Sequence, residues 1–167
     1  MESIFVATET VPKRPISLGR QLNFAAGASM SMCNALLDAH GLTLPQWVVL
    51  SVLWAQDGLT VGAIAEYTGN NLPATSRILD RMVEKSLLRR EEDAQDRRTV
   101  RIMLCPAGDR LRPLARFHEQ VNDALMAGFT PQETSQLLAL LDRVEQNARA
   151  VIRSETSDES NGGNRTA

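Results

Sequence analysis

The spacing of the apolar residues changes once along this chain, after Ser86, and that change limits what it can fold into. Up to Lys85 the pattern is helical. Beyond Ser86 two short strand-like runs, 87–91 and 99–104, flank residues 92–98, which are polar except for Ala94. That is a hairpin with a long, charged, solvated tip. Upstream of it, Asp57-Gly58 marks a turn and Thr60 caps a helix carrying Ala63, Ile64, Ala65 and Tyr67. Gly69-Asn70-Asn71 then turns into a second helix, with Pro73 in its first turn and TSRILDRMVEK over 75–85. In that helix Ile78, Leu79, Met82 and Val83 can bury one stripe, while Arg77, Arg81 and Lys85 recur every four residues on another face. Ala74, Thr75 and Ser76 are short enough to let a backbone approach base edges. Helix, turn, helix and charged hairpin over 42–104 is the layout of a winged module that reads a major groove.

The formal net charge of the 167 residues is −2, which does not suit a polyanionic partner as a whole. Between Pro73 and Arg90, however, Arg77, Arg81, Lys85, Arg89 and Arg90 face only Asp80 and Glu84, so the basic footprint is local. Aromatic residues make up 4% of the chain, too few for a platform that stacks single-stranded bases. Cys33 and Cys105 are the only cysteines and have no metal-ligand spacing, which fits a reducing compartment. The N-terminus lacks a secretory pattern and no apolar run reaches membrane length, so a cytoplasmic location is expected. There is no Gly-rich phosphate loop and no paired-histidine motif. His40 and His118 lie in unrelated segments. Nothing calls for an enzyme, a metal or a cofactor.

Around the module the pattern predicts an irregular arm over 1–15 and a helix from about 16 to 39, closed by His40-Gly41. A helix capped by Thr43 runs from Pro45 to about Gln56. It is apolar nearly all round through Trp47, Val48, Leu50, Val52, Leu53 and Trp54, and should be the buried helix of the module. A single helix is expected over about 107–128, kinked at Pro113. Thr130-Pro131-Gln132-Glu133 then starts the last helix, which carries Leu137, Leu138, Leu140, Leu141 and Val144. Residues 154–167 are polar and Gly/Asn/Ser-rich and read as a disordered tail.

Three segments together carry a resemblance: Gly58-Leu59-Thr60, SRILDRMVEKSLLRR, and DAQDRRTVRIMLCPAG with its Asp96-Arg97-Arg98 and Cys105-Pro106-Ala107-Gly108. Over 16–153 the chain resembles the MarR family of winged-helix transcription regulators. The resemblance implies a mainly α fold with a small β-wing, and a homodimer made by helices in 16–41 and 105–153. It also implies a pseudo-palindromic duplex operator, and release by a small ligand or by oxidation. Gln21-Leu22-Asn23-Phe24-Ala25 and LTLPQWVVLSVLW look like the branch that senses organic hydroperoxides. Asn23 stands where that branch has its reactive cysteine, and asparagine has no thiolate to oxidise. Gly27 and Leu44 stand where two tyrosines would be.

The candidate DNA-contacting residues are Thr60, Pro73, Ala74, Thr75, Ser76, Arg77 and Arg81 in the helices, and Asp96, Arg97 and Arg98 in the wing. Arg98 is expected in a minor groove and Arg81 at phosphate. Asp96 is expected to hold an arginine through a bidentate pair, and Asp80 to orient Arg77 or Arg98. Trp47 and Trp54, two turns apart, either pack the core or line a ligand pocket. The pocket reading adds Leu22, Asn23, Ala26 and Met30, with Asn23 as the orienting polar group, for a small apolar or aromatic effector. Cys33 should be buried. Cys105 should be partly exposed with Arg101 near it, which leaves a redox-responsive regulator open. A winged-helix interaction module without DNA binding is the remaining alternative.

Overall fold

The computed structural model describes residues 17–162, with side chains described to 154. The expected N-terminal arm, together with residues 163–167, lies outside the described residues. The elements are α1 (Leu18–Asp38), α2 (Leu44–Ala55), β1 (Leu59–Thr60), α3 (Val61–Thr68), α4 (Leu72–Glu84), β2 (Leu88–Glu92), β3 (Val100–Leu104), α5 (Pro106–Asp109), a 3₁₀ turn (Arg112–Arg116), α6 (Phe117–Leu125) and α7 (Pro131–Gly162). The fold is mainly helical with one small antiparallel sheet, in the order β1-β3-β2. The chain divides into two compact units, Met1–Arg116 and Phe117–Ala167.

In the first unit each helix of the module starts where a side chain replaces a missing backbone acceptor. The Thr43 N–H donates to Gln46 Oε1 at 3.1 Å. Thr60 Oγ1 accepts from the Ala63 N–H at 3.2 Å, and Asn71 Oδ1 from the Ala74 N–H at 2.9 Å. The core takes Val49, Leu50 and Leu53 from α2, Ile64 from α3, Leu79 and Met82 from α4, and Leu88 and Ile102 from the sheet, none more than 1% exposed. Burying a side chain of this size stabilises by about 1.5–3 kcal/mol. These residues fix α3 and α4 against the buried α2, as their spacing predicts. Only the C-terminal part of α1 is sealed, at Cys33 and Leu37. Asn34 Oδ1 there accepts from the Leu44 N–H at 2.7 Å and ties α1 to the start of α2.

Helix α4 ends in a paired cap that aims the chain into the wing. The Ser86 N–H donates to the Val83 carbonyl at 2.8 Å and the Leu87 N–H to the Met82 carbonyl at 3.0 Å. Ser86 sits at φ 56°, the left-handed conformation this cap requires and glycine usually supplies. At the far end of the hairpin, Gly108 lets α5 approach the backbone closely: a Cβ there would lie 2.4 Å from the Leu87 carbonyl oxygen. The Cys105 N–H donates to that same oxygen at 2.9 Å.

Three expectations change. Strand β1, too short to show as a period, pairs Leu59 with Ile102 and Thr60 with Arg101. The single helix expected over 107–128 is broken into α5, the 3₁₀ turn and α6, because Pro113 has no N–H and its ring crowds the preceding turn. Helix α7 continues to Gly162, through residues expected to be a disordered tail. Between Pro131 and Gly162 there is neither glycine nor proline to stop it.

In the second unit α7 begins with a capping box: the Thr130 N–H donates to Glu133 Oε2 at 2.8 Å, and Thr130 Oγ1 accepts from the Glu133 N–H at 3.2 Å. These bonds hold the Glu133 carboxyl below its usual range. No α7 residue whose side chain is described is buried. No helix among the described residues is long and apolar enough to cross a membrane.

Candidate nucleic-acid interface

Helix α4 is two-faced. Leu79 and Met82 point into the core, and Pro73, Arg77 and Arg81 are exposed on the other side, with Ala74 and Ser76 half-buried between them. Thr75 departs from expectation. It is 1% exposed, and its hydroxyl donates to the Asn71 carbonyl at 3.0 Å. It stands four residues before Leu79, on the apolar stripe, so it anchors the helix start and is turned away from solvent. Thr60 is the cap of α3 and is half-buried.

Not every basic residue of the local cluster is available. Lys85 Nζ donates to the Gly41 carbonyl at 2.8 Å. Arg89 pairs with Glu91 at 2.6 Å and donates to the Leu104 carbonyl at 3.0 Å. Arg90 reaches from β2 to Asp80 at 2.7 Å. That pair corrects the expectation for Asp80, which is held by a strand arginine and not by Arg77 or Arg98. Its effect is to cancel an acid on the α4 surface. Arg77 and Arg81 have no acidic partner among the described residues.

The wing tip has the same character. Residues 94–98 are all exposed, and Arg97 and Arg98 have no acidic partner among the described residues. Asp96 does not form the expected pair with an arginine side chain. Its Oδ1 accepts from the Arg98 main-chain N–H at 3.0 Å and its Oδ2 from the Thr99 hydroxyl at 3.0 Å. It shapes the turn that carries Arg97 and Arg98.

The residues missed by spacing alone are Asp93 and Arg101. Arg101 Nε donates to Asp93 Oδ2, and its Nη1 donates to the Gly58 carbonyl at 2.8 Å. Asp93 Oδ1 accepts from the Gln95 and Asp96 N–H groups at 2.7 and 3.0 Å. The Arg101 bond, then the two backbone donors, hold the Asp93 carboxyl down at about 2, so it is ionised at any ordinary pH. Arg101 is therefore engaged here, and the cation beside Cys105 is Arg89.

The expected ligand residues are not gathered around one cavity. Trp54 is buried and its Nε1 donates to the Gly108 carbonyl at 3.1 Å, which makes it a core residue. Trp47 is half-buried and its Nε1 donates to the Leu114 carbonyl at 2.9 Å. On α1, Leu22 is half-buried, while Asn23, Ala26 and Met30 are exposed. A recess of about 200 Å³ lies elsewhere in this unit, lined by His40, Arg110, Leu111, Pro113 and Leu114. Cys33 is buried and Cys105 half-buried, as expected. No group of His, Cys, Asp and Glu among the described residues could hold a metal ion.

A helix-turn-helix, a β-wing behind it and unpaired arginines on both define a winged-helix transcription regulator that binds DNA. The MarR family model matches residues 40–99. YsmB of Bacillus subtilis (strain 168), an HTH-type transcriptional regulator, is 31% identical over 100 residues, 59% of this chain and 68% of YsmB. The chain belongs to the MarR family. The crystal structure of the transcriptional regulator SlyA superposes with a TM-score of 0.72 at 25% identity, over 80% of this chain and 94% of SlyA. Bordetella bronchiseptica BpsR, whose DNA binding is regulated by 6-hydroxynicotinic acid, superposes with a TM-score of 0.70 at 25% identity, over 77% of this chain and 93% of BpsR.

Proposed function

We propose that the protein is a homodimeric repressor that sits on a pseudo-palindromic duplex operator and is released by a small ligand. The observation that carries the DNA-contact assignment is the set of unpaired, exposed arginines at two places on one head: Arg77 and Arg81 on α4, and Arg97 and Arg98 on the wing. Cations left without internal partners lose nothing when phosphate becomes the partner. In this reading the start of α4, at Pro73, Ala74, Ser76 and Arg77, enters the major groove. Arg81 meets phosphate and Arg98 enters the minor groove. Asp96 contributes through the turn it holds, and Thr60 and Thr75 through the helix starts they fix.

A dimer is needed because two such helices must reach successive major grooves about 34–36 Å apart. The support for dimerisation is α7, whose Leu138, Leu140, Leu141 and Val151 are exposed, together with Leu18, Phe24 and Met30 of α1. A ligand that changes the separation of the two heads would lose the contacts of one half-site.

For the effector, Asn23 in place of a thiol and the burial of Cys33 favour a ligand over hydroperoxide. The recess at His40 and Arg110 adds a cation beside apolar walls, which suits a one-ring aromatic carboxylate; BpsR answers to a molecule of that class. Leu22, Asn23, Ala26, Met30 and Trp47 remain the second candidate surface. A redox switch is favoured by one observation, the half-buried Cys105 beside Arg89. The test has two steps. Genomic duplex fragments are first captured on the purified protein and sequenced. Operator complexes of wild type and of a Cys33→Ser, Cys105→Ser variant are then titrated with 6-hydroxynicotinic acid and with cumene hydroperoxide. Release of both proteins by aromatic carboxylate alone supports the ligand reading. Stoichiometric release of wild type only, by hydroperoxide, supports the redox reading. Capture no better than random duplex refutes both.

A further inference from the structure

We propose that Asp93 and Arg101 are positioning residues that set where Arg97 and Arg98 stand relative to α4. This rests on the reading above that the wing arginines touch DNA. The bonds form one unbroken path. Gly58 lies directly before β1 and the first helix of the reading motif, and its carbonyl accepts from Arg101 Nη1 at 2.8 Å. The same guanidinium grips Asp93 through Nε. Asp93 closes the base of the tip by accepting from the main chain of Gln95 and Asp96. The Asp93 N–H donates to the Thr99 carbonyl at 2.9 Å, and the Thr99 N–H to the Asp96 carbonyl at 2.8 Å. Asp96 then holds the Arg98 N–H and the Thr99 hydroxyl.

The burial pattern points the same way. The Asp93 side chain is 10% exposed at the root of a loop whose next five residues, 94–98, are all exposed. The tip itself adds little to the core, so this bracing has little to do with overall stability. What it provides is a loop already ordered before DNA arrives, which removes an ordering cost from binding. The arginine's fork is needed because one side chain must meet a carboxylate and a carbonyl in two directions; a lysine offers a single nitrogen.

Charge and position make opposite predictions for Asp93, which gives the test its edge. Asp93→Asn removes a negative charge from the head, and by charge alone should tighten binding to a polyanion. The positioning role predicts weaker binding. Binding to an operator duplex is measured at one fixed salt for the full-length protein and for Asp93→Asn, Arg101→Lys, Arg98→Ala and Asp93→Asn/Arg98→Ala, with thermal unfolding alongside. Asp93→Asn and Arg101→Lys should each weaken binding about tenfold, with the melting temperature nearly unchanged. In the Arg98→Ala background Asp93→Asn should add almost nothing, since non-additivity marks residues that act through one another. Equal or tighter binding by Asp93→Asn overturns the proposal, as does an equal loss with and without Arg98. Should Asp93→Asn unfold, Arg101→Lys, which keeps its charge, carries the test with the same outcomes. If Arg98→Ala binds like wild type, the wing reading itself fails and takes the proposal with it. If Arg98→Ala weakens binding while Asp93→Asn and Arg101→Lys do not, only the positioning role fails.

Discussion

In the winged head, Leu50, Ile64, Leu79 and Ile102 come from four different elements and seal one another from water. In α7, Leu138, Leu140, Leu141 and Val151 are between 41 and 57% exposed. Both regions are rich in leucine and its kin, so composition does not separate them. What separates them is whether the same chain brings a cover. The head is a closed packing problem, solved by α2, α3, α4 and the sheet together. Helix α7 is an open one, and an apolar stripe left to water on a long helix calls for a partner stripe. The head should therefore have a stability of its own, while the stability of α7 should depend on protein concentration if a second copy provides the cover.

The largest expected effect breaks the comparison on the α7 side. Leu138→Glu with Leu141→Glu places two charges on the exposed stripe and should convert a dimer to a monomer by sedimentation, with the head still folded. An unchanged dimer would put the interface elsewhere. Next comes a change confined to the head. Gly108→Ala drives a Cβ against the Leu87 carbonyl and should cost about 1–3 kcal/mol in unfolding free energy, with oligomeric state untouched. No loss would mean that α5 moves freely against the hairpin. The smallest effect is a gain. Ser86→Gly relieves the left-handed strain at φ 56° and should raise stability by about 0.5–1 kcal/mol, read as a higher denaturant midpoint.

The helices of the head were legible because their starts carry cap residues: Thr43 and Thr60 did what their spacing to the apolar run suggested, and Thr130 with Glu133 did the same for α7. The wing was legible as a change of period. Three pairings were not. Asp80 with Arg90 joins a helix to a strand, so no spacing rule reaches it. Asp93 with Arg101 depends on the hairpin register, and a long polar loop leaves that register undetermined until β3 is seen to pair Arg101 opposite Glu91. The Trp54 indole bond to Gly108 needs α5 in place first. Thr75 differs from these: its place four residues before Leu79 was visible, and its hydroxyl drew the reading outward when its spacing pointed inward.

The account turns on two unpaired basic surfaces, one on α4 and one on the wing, acting together on duplex DNA. The direct measurement is the operator association constant against salt concentration, for wild type and for Arg77→Ala/Arg81→Ala/Arg97→Ala/Arg98→Ala. Each phosphate contact should contribute about −0.9 to the slope of log K against log salt. The account predicts a steep slope for wild type. It predicts a slope flatter by about 0.9 for every contact the variant loses, with the melting temperature preserved. A variant that keeps both the wild-type slope and the wild-type affinity would contradict it.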